Sequence, residues 1–274
     1  MNFDADISQI YGSMNAFPHP RRPLLVLLLT MALAHPALAQ TDGTCVAIGG
    51  RPALDKLFEQ ELNYPPAALE AGIKGEVVIT VHLHPDGALR DITVGRTVSP
   101  ECDAEALRLV RMVRWKPATS GELCSPKDHY LAVPFDPAKY KRWLKGRHAH
   151  TDPVFQLPAD TSVQVYQAKQ LDVFVAPVIP NGMAGLPKYI GQNMRYPPEA
   201  FRYSLDGTVR LEFVVEPSGT LSNLHAIEDV GGGCTDEAMR LVQKIQWLPG
   251  QKAGQRVRSI LQVSIRFDLP KEAR

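Results

Sequence analysis

The chain has 274 residues, a formal net charge of +1, and 45% hydrophobic against 22% charged residues. That composition belongs to globular domains, and the length allows one or two of them. A balance so near neutral gives no general pull toward nucleic acid or an anionic membrane.

The chain opens with a secretory signal pattern. Arg21-Arg22 supply the positive region, 24–34 the apolar region, and Ala37-Leu38-Ala39 a small-residue cleavage site before Gln40. The apolar run is shorter than the ~20 residues that cross a bilayer. Residues 1–39 are therefore expected to be removed on export, the alternative being an uncleaved anchor. The stretch before Arg21 is long and polar, so Met14, followed by Asn15-Ala16-Phe17, reads as an alternative start.

Beyond the signal, one unit is written twice. Residues 64–136 lie on 196–268 without a gap, each residue meeting its counterpart 132 positions on, as Tyr64 meets Tyr196. Gly75 falls on Gly207, Pro85 on Pro217, Gly87 on Gly219, Cys102 on Cys234, Trp115 on Trp247 and Phe135 on Phe267. Solenoid repeats run roughly 20–50 residues, so this is a tandem pair of domains, 50–137 and 181–270, joined by a basic, irregular connector, 138–180.

Each unit opens with a short amphipathic segment, 54–62 or 186–194, which the Tyr-Pro-Pro step ends because proline biases its predecessor away from helix. Period-two alternation over 76–84, and again around Val209, Leu211, Phe213 and Val215, predicts half-buried strands. Pro85-Asp86-Gly87 and Pro217-Ser218-Gly219 turn each into a second strand, 89–94 or 221–227. Ala106, Leu109, Val110 and Val113 then follow helical spacing, as do Ala238, Leu241, Val242 and Ile245. Asp103 and Thr235 are candidate caps. Trp115 or Trp247 ends the helix, and a last strand closes the unit at 130–135 or 261–267. The fold class is α+β: two tandem two-layer domains, each strand-strand-helix-strand with a small, mostly antiparallel sheet.

Four cysteines in an exported chain permit disulfides in three connectivities. Cys102 and Cys234 are equivalent, whereas Cys45 and Cys124 have no counterparts, the offset placing Pro177 and Arg256 there. An unshared pair suits a bond specific to repeat one, so Cys45 with Cys124 is expected; Cys102 with Cys124 is the competing choice.

Tyr-Pro, Gly-x-Val, Pro-x-Gly-x-Leu, Cys-x-x-Glu-Ala, Trp-x-Pro and a closing Phe fall in order in both units. In this the chain resembles the C-terminal domain of the TonB family, a TonB/TolA C-terminal-like fold. The resemblance implies a non-catalytic domain that grips a short segment of an outer-membrane receptor by adding a strand to its sheet. It also implies a periplasmic location in a Gram-negative envelope. A typical TonB keeps an N-terminal membrane helix, docked on the ExbB/ExbD motor, and a long proline-rich spacer. Here about two dozen residues separate Gln40 from Tyr64, roughly 80 Å at full extension. The resemblance thus carries the binding domain more than the energy-transducing role. A membrane-anchored transducer and a structural envelope-binding protein are the alternative readings.

Little else looks like chemistry. His82 and His84 share a strand face near Asp86, but repeat two has Val214 and Glu216 there, so no metal is expected. Gly231-Gly232-Gly233 before a helix suggests an anion cradle, yet Ser99-Pro100-Glu101 fills that place in repeat one, so a tight turn is preferred. No nucleophile motif or shared carboxylate pair is present, and neither an enzyme nor a cofactor is expected. In the connector, Lys141, Arg142, Trp143 and Lys145 form a basic-aromatic cluster that suits either an envelope surface or a solvated helix packed on the first domain. The partner-binding candidates are Val263, Ser264, Ile265, Arg266 and Phe267 of the last strand. As a sheet edge this strand offers unpaired backbone groups to a partner peptide, with Arg266 facing a partner's acidic residue. Repeat one has Pro134 at the Arg266 position, which removes one donor.

Overall fold

In both repeats the alternating segments form a three-stranded antiparallel sheet backed by one long helix. This computed structural model describes residues 44–117, 123–125, 127–146 and 152–269. The signal segment and Met14 lie outside the described residues. No described helix is long and apolar enough to cross a membrane.

Repeat one runs β1 (Cys45–Ala47), α1 (Gly50–Glu61), α2 (Pro66–Glu70), β2 (Gly75–Leu83), β3 (Leu89–Arg96), α3 (Pro100–Arg111), β4 (Trp115–Pro117) and β5 (His129–Phe135). Its sheet has the order β3-β2-β5. Helix α4 (Pro137–Gly146) follows, then two 3-10 turns, Pro153–Gln156 and Ala168–Gln170. Repeat two runs β6 (Ala176–Pro177), α5 (Gly182–Asn193), α6 (Pro198–Arg202), β7 (Gly207–Val215), β8 (Leu221–Glu228), α7 (Cys234–Lys244), β9 (Trp247–Leu248), β10 (Gly250–Lys252), β11 (Gln255–Val257) and β12 (Ser259–Phe267). Its sheet has the order β12-β7-β8. The inward residues of each sheet, such as Val77, Ile79 and Val81 or Val209, Leu211 and Phe213, are fully buried with the apolar stripe of α3 or α7.

The shared marks are stitches between elements. Gly87 and Gly219 turn with positive φ (84° and 83°), and a Cβ there would lie 3.0 Å from the Trp115 carbonyl or 2.7 Å from the Trp247 carbonyl. The turn glycine and the tryptophan are therefore paired by close approach. Tyr64 donates its hydroxyl to the Ile73 carbonyl and meets Phe135 edge-on at 5.4 Å; Tyr196 does the same with Leu205 and Phe267. Glu105 accepts from the Asn63 amide at 2.7 Å, and Glu237 from the Arg195 amide at 2.7 Å. These residues hold the frame together.

Two local expectations are corrected. Ser99, not Asp103, caps α3, accepting from the Cys102 amide at 3.2 Å, while Asp103 accepts from the Val98 amide. Thr235 caps nothing; its hydroxyl donates to Asp229, and Gly233 stands at the α7 cap position. Trp247 is fully buried and donates to the Val242 carbonyl, but Trp115 is only half-buried, against His129 at 4.7 Å.

The repeats join through polar residues that differ from their counterparts in the offset comparison. Arg258 grips Glu216 through both carboxylate oxygens (2.8 and 3.0 Å) and donates to the Val163 and Met112 carbonyls. Both partners are buried. Asn223, held at φ 52° where asparagine is tolerated, accepts from the Arg114 amide and donates to the Met112 carbonyl. Glu61 of α1 accepts from the Ser218 and Thr220 hydroxyls, each at 2.6 Å. Arg114 pairs with Glu212 at 2.8 Å, and Gln262 of β12 donates to the same carboxylate. This joint anchors the start of β12.

Candidate functional site

Strand β12 pairs with β7 in unbroken register from Ser259↔Val215 to Phe267↔Gly207. Its other side is a sheet edge. The connector shows which way the backbone groups point. Ile260 donates its N–H to the Tyr166 carbonyl at 3.0 Å, and Tyr166 donates to the Arg258 carbonyl at 2.8 Å. Residue 260 therefore faces outward, and with the two-residue period of a strand so do the N–H and C=O of Gln262, Ser264 and Arg266. Tyr166 covers the first of these positions. Among the described residues no backbone partner meets the other three on that side.

The side chains divide as alternation requires. Val263, Ile265 and Phe267 are buried against the helices, while Gln262, Ser264 and Arg266 are exposed. Beside the edge lies a groove of about 460 Å³ between β12 and α5, floored by Leu186, Ile190 and Met194 with Met183 and Pro187 on its rim. Pro187, inside α5, has no N–H to return to the Met183 carbonyl. Methionine adapts its shape to varied partners, and Met183 is 42% exposed. An extended segment laid along β12 would thus meet backbone groups in the sheet plane and an apolar floor on one face.

Arg266 differs from expectation in one respect. It already holds Asp268 (2.8 Å) and lies 3.7 Å from Asp206, and hydrogen bonding to Asp268 raises its pKa further. These pairs are exposed and weak, so an acidic partner would have to exchange with them.

The remaining candidates stand elsewhere. Lys141, Arg142 and Lys145 are exposed on α4, and Trp143 is half-buried. Tyr140 of the same helix leans on Tyr64 at 5.3 Å and stacks with Trp143 at 5.9 Å. Cys45 and Cys124 are joined as a disulfide with Cα atoms 5.1 Å apart, while Cys102 and Cys234 are free and buried. Burial raises both free thiols above their ordinary pKa. His82 pairs with Asp128 at 2.8 Å, and among the described residues no three metal-ligating side chains converge. At the triple glycine, Asp229 accepts from the Gly231 amide and the Thr235 hydroxyl, contacts that lower its pKa. The chain's own carboxylate thus occupies the place considered for an anion.

The apolar floor supplied by α5, the Tyr166 cover and the joint of Glu61, Glu216, Asn223 and Arg258 were not anticipated from the sequence. The joint left one signal: polar residues at 216, 223 and 258 depart from their counterparts His84, Asp91 and Pro126.

No curated protein matches the chain. The family described as Gram-negative bacterial TonB protein C-terminal matches residues 60–136 and 192–269, more than half of the length. The two matched stretches coincide with the two sheet-and-helix units, and the chain therefore belongs to the TonB C-terminal family, as a tandem pair of its domains.

Proposed function

We propose that the protein is a non-catalytic binding protein of the Gram-negative periplasm. It captures an extended segment of a TonB-dependent outer-membrane receptor, or of another envelope protein, along the free edge of β12. The observation that carries this reading is the row of outward backbone groups at Gln262, Ser264 and Arg266 beside the α5 groove. Backbone pairing supplies affinity in this mode, and pockets for alternate side chains supply selectivity. The captured segment should therefore alternate, placing apolar residues on Leu186, Ile190 and Met194 and polar residues beside Gln262 and Ser264. The family's domains are non-catalytic, in keeping with a site made of backbone and apolar surface.

Ser264→Pro deletes one outward N–H and changes an exposed side chain. A backbone hydrogen bond is worth on the order of 1 kcal/mol net, so binding should weaken by about fivefold or more. The probe is an array of synthetic extended peptides taken from the N-terminal segments of outer-membrane receptors, with circular dichroism to verify folding. Unchanged capture by a folded Ser264→Pro protein, with capture lost instead on changing repeat one, would remove the edge assignment.

A further inference from the structure

The groove beside β12 has an exact positional counterpart in repeat one, and the chain treats the two differently. Leu62, Phe58, Glu59 and Asp55 of repeat one correspond to Met194, Ile190, Gly191 and Pro187, and Pro134 and Asp136 correspond to Arg266 and Asp268. In repeat one this space is walled by α4. Lys139, Tyr140 and Trp143 line it, and about 210 Å³ remains where repeat two keeps about 460 Å³.

The seat of α4 is built in. Asp136, closing β5, accepts from the Ala138 and Lys139 amides at 3.0 Å each, and its other oxygen holds Lys74 at 2.8 Å. Pro137 starts the helix at a position where its missing N–H is harmless. Tyr140 packs on Tyr64, and Lys139 reaches Glu59 of α1 at 3.3 Å. The match is one of charge as well as shape: a basic helix meets a groove edged by Asp55 and Glu59. Repeat two has Pro187 and Gly191 at those positions and Glu272 at the position of Tyr140.

We infer that α4 is a built-in occupant of the repeat-one groove, so that among the described residues the groove of repeat two stands open while that of repeat one is reached by a partner only on displacing α4. In treating that groove as a binding groove this rests on the reading above. An occupant tethered directly to β5 acts at a high effective concentration, on the millimolar scale, so a free segment cannot displace it at ordinary concentrations. Pro134 adds a second block, because it removes an N–H from the edge beneath the helix.

The test uses the occupant itself as probe, a dye-labelled synthetic peptide of residues 136–146, titrated against the full exported chain. Tyr140→Ala with Trp143→Ala takes the aromatic pair from the tethered helix. The peptide should then bind this variant about tenfold or more tighter than it binds the wild-type chain. Glu59→Lys added to the variant should weaken that binding. Should the double change disturb the fold by circular dichroism, Lys139→Glu, which reverses an exposed pair only, is the second variant and should also admit the peptide. No binding to either variant, or equal binding to wild type and variant, would overturn the inference, the latter by placing the peptide outside the repeat-one groove. Because receptor peptides play no part, a failure here is distinct from a failure of the Ser264→Pro experiment.

Discussion

Glu61 shows how a single side chain responds when two domains close around it. Burial raises its pKa above the ordinary carboxylate value, and the nearby charge of Glu216 adds to this; the Ser218 and Thr220 hydroxyls and Arg108 oppose. A carboxyl whose folded pKa is raised contributes stability that is full below its unfolded pKa. That stability is lost as pH rises through the raised folded value. Glu61→Gln keeps an oxygen for both hydroxyls and removes the charge. The variant should melt at or above the wild-type temperature at neutral pH, with the gap closing as pH falls toward the ordinary carboxylate range. Thermal melts across that span check it, and a variant less stable than wild type at neutral pH would contradict the account. Nothing near Glu61 in the sequence announces this environment: its repeat-two counterpart is Asn193, and its hydroxyl partners lie 157 and 159 residues away.

Among elements, α3, α7 and the central strands were legible, because period and turn chemistry act over a few residues, whereas α2 and α6 were not anticipated. Nor were the short strands β1 and β4 of repeat one. Strand β1 pairs with β4, Cys45 opposite Pro117, and the disulfide ties β1 to the segment holding Cys124. The sequence separation of 79 makes this a long closed loop, so its removal should be felt chiefly through the unfolded chain. Cys45→Ser is expected to destabilise repeat one by about 2–4 kcal/mol. Denaturant unfolding with and without reductant would measure it: reductant should shift wild type toward the variant and leave the variant unmoved. An equal reductant effect on both proteins would show that the bond lies elsewhere. Helix α4 teaches a related point. Its basic and aromatic residues suited either an envelope surface or a packed helix, and charge pattern alone does not separate those, since both need one charged side and one apolar side.

For the whole molecule, the joint makes the repeats a unit and sets the start of the candidate edge. Arg258 has its guanidinium shared among Glu216, Val163 and Met112. Arg258→Ala would leave Glu216 buried without its charge partner, at a cost of about 3–5 kcal/mol. Because Arg258 lies immediately before β12 and reaches Met112 of repeat one, the expected result is a lower melting temperature together with separate transitions for the two repeats. Calorimetry distinguishes this from a uniform shift. A single transition within about 1 kcal/mol of wild type would show that the joint does not couple them.

By itself the sequence determined the duplication, the strand-strand-helix-strand order and the inward faces, all consequences of alternation, helical spacing and proline or glycine sterics acting between near neighbours. Only the tertiary structure decided which sheet edge is open. Both last strands alternate alike, but α4 walls the groove beside one, while among the described residues Tyr166 covers only the first outward position of the other. Whether an edge is free depends on what distant chain comes to lie against it. That is a question of three-dimensional approach between segments far apart in sequence, to which no local pattern corresponds.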